Sequence, residues 1–338
     1  MKHSKRNMLI ILIITIGVLW YILKDHYKEI LEAVINANWW WLLLALVLYA
    51  AYTIFDVLSF HNLTKLYNKG IPFSFQIYLG VIGRFFSGIT PLATGGQPMQ
   101  VYELHKKGVS VTNGSNIAIQ AYMIFQVALM FMGTIAIIIN KVFNLFADMP
   151  FLKQMTIIGF LINFGILLVL ILISFSKSFN KNVIHSIING LAKVKIVKYR
   201  DKQIKKWDKV CADYYHNAQV LLKNKMVLLK CFLFEVISLS FYYLTPLAII
   251  YALGLQSSIT WYAVLAASSY VFITGCYVPI PGATGGMEFG FSGMFSNFIV
   301  GYQLNALLVL WRFATYYIPV ITGGIVFNFR EKILKNEK

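Results

Sequence analysis

Apolar residues in this chain come in long runs rather than alternations. Six runs predict helices able to cross ~30 Å of hydrocarbon, at about 8–23, 39–60, 113–140, 152–176, 227–253 and 304–328. Two further apolar regions, about 72–104 and 259–300, are interrupted midway. PLATGG at 91–96 breaks the first and PGATGG at 281–286 breaks the second. The longest polar stretch, 177–226, carries twelve Lys and Arg residues. Its centre spaces Ile196, Tyr199, Ile204, Trp207 and Val210 among lysines. An amphipathic helix on the membrane surface and a basic loop both fit that pattern.

Lys and Arg predict the orientation. The N-terminus (Lys2, Lys5, Arg6), the C-terminus (Arg330, Lys332, Lys335, Lys338), the 177–226 segment and the loops holding Lys65, Lys69, Lys106 and Lys107 are all expected on the cytoplasmic side. The uncharged stretch 254–260 is expected outside. Counting crossings, 72–104 must enter and leave from inside, and 259–300 from outside. Two ordinary spans in place of each hairpin would keep the same parity; the midway breaks favour hairpins. The predicted fold is an all-α polytopic membrane protein of about six full transmembrane helices plus two re-entrant broken hairpins. Residues 1–338 are read as one membrane domain. Its halves, about 39–140 and 227–328, each run span, broken hairpin, span in opposite orientation, the pattern of inverted-topology repeats.

Composition supports this reading. Of 338 residues, 58% are hydrophobic and 13% charged, against about 25% charged in soluble domains. The net charge of +17 then reads as topology plus affinity for anionic lipid, not nucleic acid, for which there is no motif. The N-terminus has the shape of a signal peptide but no small-x-small cleavage site, so an uncleaved first span is expected. Cys211, Cys231 and Cys276 are scattered, and the six histidines have no metal spacing. No metal and no cofactor are expected. GxSxG, HExxH, Walker A and GxGxxG motifs are absent. Glu288 with His105 is the one acid–base pair to suggest itself, and they lie in different segments.

The breaks carry the candidate chemistry. Broken helices survive in a membrane only where protein or a wet cavity receives their free backbone groups. Gly95, Gly96, Gly285 and Gly286 permit positive φ and close approach. Thr94 and Thr284 are placed to cap the half-helices that follow. A half-helix N-terminus suits a phosphate. Charged residues inside apolar segments are costly and point to cavities or partners. Arg84 and Arg312 are candidates for the phosphate; Asp56, Glu103, Glu235 and Glu288 are candidates for a polar or cationic headgroup, or for pairing with the arginines. Asp56 and Glu235 are expected near the cytoplasmic ends of their spans. Gln97, Gln100, Gln120 and Gln126 suit interhelical hydrogen bonds; Gln97 and Gln100, beside the first break, are headgroup candidates as well.

The stretches GRFFSGITPLATGGQPMQVYELHKKGVS and YVPIPGATGGMEFGFSG resemble the two signature stretches of the lysylphosphatidylglycerol synthase transmembrane family. That family includes the flippase half of the bacterial multiple-peptide-resistance factor. The resemblance implies a lipid flippase or scramblase in a bacterial plasma membrane, acting on a phospholipid, an aminoacyl-phosphatidylglycerol or a glycolipid. In two-part members it also implies resistance to cationic peptides and a cytoplasmic transferase domain. Here about ten residues follow the last span, so transferase chemistry within this chain is not expected. Two alternatives stay open: the membrane component of a phosphatidylglycerol lysyltransferase whose synthase is a separate chain, and an ion or small-solute transporter. Membrane lipids are the expected partners; a homodimer is compatible with the sequence but not demanded by it.

Overall fold

The computed structural model describes residues 27–146, 150–193, 199–275 and 280–329. The expected span 8–23 and both basic termini lie outside them. Among the described residues the chain is helical with no strand. Five of the expected spans appear as helices long and apolar enough to cross a membrane. After a short helix α1 (Tyr27–Ile35), these begin with α2 (Trp39–Tyr67), α5 (Val111–Phe143) and α6 (Pro150–Phe175). They continue with α9 (Lys225–Ala252) and a final run of α12 (Gly301–Arg312), a π turn (Phe313–Tyr317) and α13 (Ile318–Asn328). The chain is a multi-pass membrane protein.

Local signals set the ends. Asn38 caps α2, its side chain accepting the Trp40 N–H at 3.0 Å. Ser110 caps α5 through the Asn113 N–H at 3.2 Å. Polar residues do not stop a helix, however, and α2 continues past the apolar limit at 60 to Tyr67. Asp56 and Glu235 therefore lie well inside 29- and 28-residue helices rather than at their ends. Hydropathy marks the membrane boundary and not the helix end, so both remain near the expected cytoplasmic boundary although the helices run on past it.

Each interrupted region forms a helical hairpin. The first consists of α3 (Phe73–Gly88), a 3₁₀ turn (Pro91–Ala93) and α4 (Gly96–Lys106). The second consists of α10 (Trp261–Gly275), a 3₁₀ turn (Pro281–Ala283) and α11 (Gly286–Phe295). The longest arm has 16 residues, about 24 Å at 1.5 Å per residue, too short to span ~30 Å of hydrocarbon. The arms of each hairpin pack on one another. Glycine makes this possible in the first: a Cβ on Gly96 would lie 2.6 Å from the Gly83 carbonyl oxygen. The two 3₁₀ turns pack against each other.

Helices α2 and α9 pack along each other, and a large core of Leu, Ile, Ala and aromatic residues joins α2, α5, α9, α10, α11 and α12. The basic segment forms two helices, α7 (Lys177–Lys193) and α8 (Arg200–Lys223), so a helix, not a loop, carries Ile204, Trp207 and Val210. The two helices pack together, with His185 Nε2 2.9 Å from Asp208. Helix α8 docks against α5, α6 and α9, and Tyr67 at the end of α2 hydrogen-bonds the Asn217 carbonyl. Ile196 lies outside the described residues; Tyr199 precedes α8 and is exposed, while Ile204 and Val210 are partly covered.

Candidate functional site

Where the two turns meet there is a cavity of about 210 Å³. Arg84 and Arg312 both line it, together with Ala93 and Leu92 of the first turn and Gly282 and Ala283 of the second. Tyr49, Tyr52, Tyr242 and Tyr316 form much of the wall. A second cavity, of about 390 Å³, lies between α1, the end of α9 and Tyr302, remote from both breaks.

The shared letters of the two breaks produce a shared backbone. Leu92 and Ala93 have φ of 53° and 54°, and Gly282 and Ala283 have 66° and 50°. Positive φ costs a residue with a Cβ roughly 1–2 kcal/mol, so the left-handed turn is held by its surroundings. Thr94 and Thr284 do not cap the following helices as expected. Each hydroxyl instead donates back to the carbonyl of the turn proline, Pro91 or Pro281, at 2.9 Å. The N-cap positions fall on Gly95 and Gly285. A threonine hydroxyl reaches whichever backbone oxygen the tight turn brings nearest.

Beyond the threonine the breaks diverge. Gly285 has φ of 91° while Gly95 has −83°. The Gly285 N–H donates to Glu288 Oε2 at 2.6 Å, and Glu288 Oε1 accepts from Arg312 Nε at 2.7 Å. Arg312 also donates to the Gly282 carbonyl at 3.1 Å, and its guanidinium lies over the Tyr316 ring at 4.6 Å. In the first break the Gly95 N–H donates to Thr90 Oγ1 at 2.8 Å, with no acid involved. The Gly95 and Gly285 amides, candidates for holding a phosphate, thus already donate within the protein.

Arg84 is placed differently. It pairs with Asp56 of α2 at 2.9 Å and stacks on the Tyr52 ring at 4.5 Å, while its Nε is buried with no hydrogen-bond partner. Spacing explains the grouping: Tyr49, Tyr52 and Asp56 recur at three and four residues on one face of α2. Glu235 of α9 lies within electrostatic reach of Asp56 and Arg84 and is 2% exposed.

The structure therefore brings together Arg84, Asp56, Glu235, Arg312, Glu288 and Thr284. It places the others elsewhere. Glu103, on α4, is fully buried and pairs with Lys106 of the same helix at 3.0 Å. Gln97 and Thr94 are exposed. Gln100 reaches the Leu79 carbonyl at 3.4 Å across the hairpin, and Gly96 lies between the hairpin arms. Gly286 begins α11. Their nearness to the breaks in sequence is not nearness to the cavity, because α4 leads away from it. The tyrosines were missed as candidates. Their signal was four-residue spacing from charged neighbours, Tyr52 to Asp56 and Arg312 to Tyr316. No group of three or more His, Cys, Asp or Glu able to hold a metal occurs among the described residues.

Two comparisons bear on this arrangement. An uncharacterised-family membrane protein of Archaeoglobus fulgidus, designated UPF0104, is 23% identical over 344 residues, covering 96% of this chain and 98% of that protein. The family described as the lysylphosphatidylglycerol synthase TM region matches residues 8–323, both breaks included. The chain belongs to the lysylphosphatidylglycerol synthase TM-region family.

Proposed function

We propose that this protein moves a phosphate-bearing lipid between leaflets, holding the headgroup phosphate in the cavity between Arg84 and Arg312. The observation that carries the reading is that two arginines, one from each half of the chain, line one cavity where two helix breaks meet. A guanidinium presents a planar fork of donors suited to phosphate oxygens. Phosphate offers each arginine a second anion beside its carboxylate, and the unpaired Arg84 Nε one acceptor. A cavity of about 210 Å³ takes a headgroup and leaves acyl chains in the bilayer. The family's tie to lipid metabolism supports the same reading.

In this reading residues 39–140 and 227–328 are inverted repeats within one membrane domain, and rocking of one against the other opens the cavity to alternate leaflets. The termini and the α7–α8 hairpin face the cytoplasm of a bacterial cell, since lysines favour that side. Aminoacyl-phosphatidylglycerol and glycolipid phosphates are the substrate candidates. A small anion fits a cavity this size as well, which keeps solute transport as the second reading.

The deciding experiment is reconstitution in liposomes with fluorescent phosphatidylglycerol, its lysyl ester and a glycolipid phosphate, followed by quenching of the outer leaflet. Faster loss of protected signal than in protein-free liposomes is expected, abolished in Arg84→Ala. Uptake of free glycerol phosphate without lipid movement would replace this reading with the solute carrier.

A further inference from the structure

The charges of the site do not balance. Arg84 and Arg312 are matched by their own carboxylates, Asp56 and Glu288. Glu235 is a third acid, on α9, within electrostatic reach of Asp56 and Arg84 and 2% exposed. Fully ionised, the five groups sum to one negative charge in apolar surroundings. An arriving phosphate diester would raise that to two. Uncompensated buried charge is strongly unfavourable, and the ordinary remedies are a partner, a proton or water.

Among the described residues a partner cation is not provided by the other elements packed here. Around Glu235, α2 presents Tyr49, Tyr52 and Asp56, and α3 presents Arg84. Its own helix has Cys231 and Tyr242; Glu288, Arg312 and Tyr316 complete the far wall. Of the remaining neighbours of α9, α5 carries Tyr122 hydrogen-bonded by neutral Gln126, and α10 carries Tyr270, which bonds the Ala136 carbonyl. The two arginines are the cations, and both are taken.

A route for protons adjoins the acid. On α3, Gln76, Gly80 and Arg84 recur every four residues and so share one stripe. That stripe faces α2, since Arg84 meets Asp56 and Gly80 abuts Val57. Gln76 is 1% exposed, and both its amide nitrogen and oxygen lack hydrogen-bond partners. His61, edge-on to Phe73 at the start of α3, has its Nδ1 buried and likewise unsatisfied among the described residues. Buried polar groups in a membrane protein are hydrogen-bonded, to protein or to water. These lie between the end of α2, with Lys65 in its last turn, and Asp56, where a file of water would satisfy them.

We propose that Glu235 carries an exchangeable proton, taken up through the Gln76–His61 side when an anionic lipid headgroup binds, so that lipid movement is coupled to protons. This rests on the phosphate-binding reading above. Each headgroup then travels with one proton, which leaves Glu235 when the headgroup is released on the other side. The lipid accumulates in the leaflet facing the more alkaline compartment.

Three measurements test it. First, the pure protein is mixed with short-chain phosphatidylglycerol in two buffers of different ionisation enthalpy. Binding heats that differ by about one proton per lipid are expected for wild type, and equal heats for Glu235→Gln. Binding with equal heats in wild type would overturn the proton coupling and leave the phosphate reading intact; no binding would overturn both. Second, in liposomes with an imposed pH gradient, the leaflet ratio of fluorescent phosphatidylglycerol should follow the gradient, at most about tenfold per pH unit for one proton per lipid. Glu235→Gln should lose the gradient response, whatever its rate of redistribution; a gradient response equal to wild type would overturn the assignment. Third, infrared difference spectra collected across a pH titration without lipid should contain a protonated-carboxyl band that Glu235→Gln removes. A band that persists in the variant places the proton elsewhere, whether or not any lipid moves.

Discussion

The two breaks start from nearly the same six letters and end in different hands. In the second, the arginine, the acid and the turn close on themselves: Arg312 and Glu288 are 5% and 8% exposed, and both bond to the turn they flank. In the first, Arg84 reaches across to another helix, its partner Asp56 is 36% exposed, and the turn is held by threonine and serine hydroxyls. One difference in sequence accounts for much of this. Pro98 occupies the place that Glu288 holds after the second break, so the first turn has no carboxylate to bind its glycine amide. The second break is thus a braced scaffold, and the first presents an arginine whose pairing is open to competition. In the proposed transport cycle the second break would be the wall that stays in place and the first the one that exchanges partners.

Breaking the brace should produce the largest effect. Removing one member of a buried pair leaves an unpaired charge, at about 3–5 kcal/mol. Arg312→Ala and Glu288→Gln are expected to lose that much stability, read as early unfolding in thermal or denaturant titrations in detergent. Arg84→Ala, with a partly exposed partner, should fold normally and lose headgroup binding by about 100-fold or more, in line with a charge-assisted bidentate contact. The double change Arg312→Met with Glu288→Leu separates the roles. It should recover most of the stability while headgroup binding stays lost. Equal stability loss for Arg84→Ala and Arg312→Ala would erase the contrast between the breaks.

The next test exploits equivalent turn positions that hold different residues. A Cβ on Gly282 would lie 2.7 Å from the Tyr316 hydroxyl and closer still to its ring, at φ of 66°. Gly282→Ala should destabilise by about 1–3 kcal/mol and displace Tyr316 from Arg312. At the matching position Leu92 is half exposed with φ of 53°. Leu92→Gly should relieve backbone strain, leaving stability unchanged or higher by up to about 1 kcal/mol. Opposite signs at two aligned positions are the expected outcome, read from the same unfolding curves.

Smaller still is the effect of giving the first break what it lacks. Pro98→Glu places an acid in the first turn of α4, where a helix N-terminus gains roughly 0.3–1 kcal/mol from negative charge. It should stiffen the first turn, stabilise slightly and slow lipid movement in liposomes. A variant that transports faster than wild type would contradict the view that the first turn is the wall that exchanges partners.

The membrane character, the five described spans and both hairpins were legible because hydrocarbon imposes a length and a polarity on any segment within it, and because Gly and Pro interrupt helices for local reasons. The arginines were legible for the same cause: a charge in such a segment needs an explanation. What the sequence hid were the partners. That Asp56 rather than Glu103 meets an arginine depends on which helix α3 packs against, and Glu103, seven residues after the first Gly-Gly pair, turns instead to Lys106. The mistaken threonine caps show the limit of local reasoning. Both hydroxyls had two acceptable partners within reach, and the left-handed residues that precede them decided between the two.

The smallest expected effect lies outside the site, in the basic hairpin of α7 and α8, which has no counterpart in either half. Asp208 there receives His185 at 2.9 Å and Lys181 at 3.6 Å. The hydrogen bond from His185, reinforced by the charge of Lys181, holds its carboxyl below the usual aspartate range. A carboxylate whose folded value is depressed contributes stability above its unfolded value, near pH 4, and loses it as pH falls through the folded value. The α7–α8 contact should therefore be level from pH 8 to about pH 5 and weaken below pH 4. Because the pair is solvent-screened, Asp208→Asn should change amide-exchange protection in α7 and α8 by less than about tenfold at pH 7, and should remove the acid dependence. Lipid movement at neutral pH should be unaffected. A loss of movement in this variant would mean that the basic hairpin works with the cavity, and that the asymmetry between the breaks is only part of the mechanism.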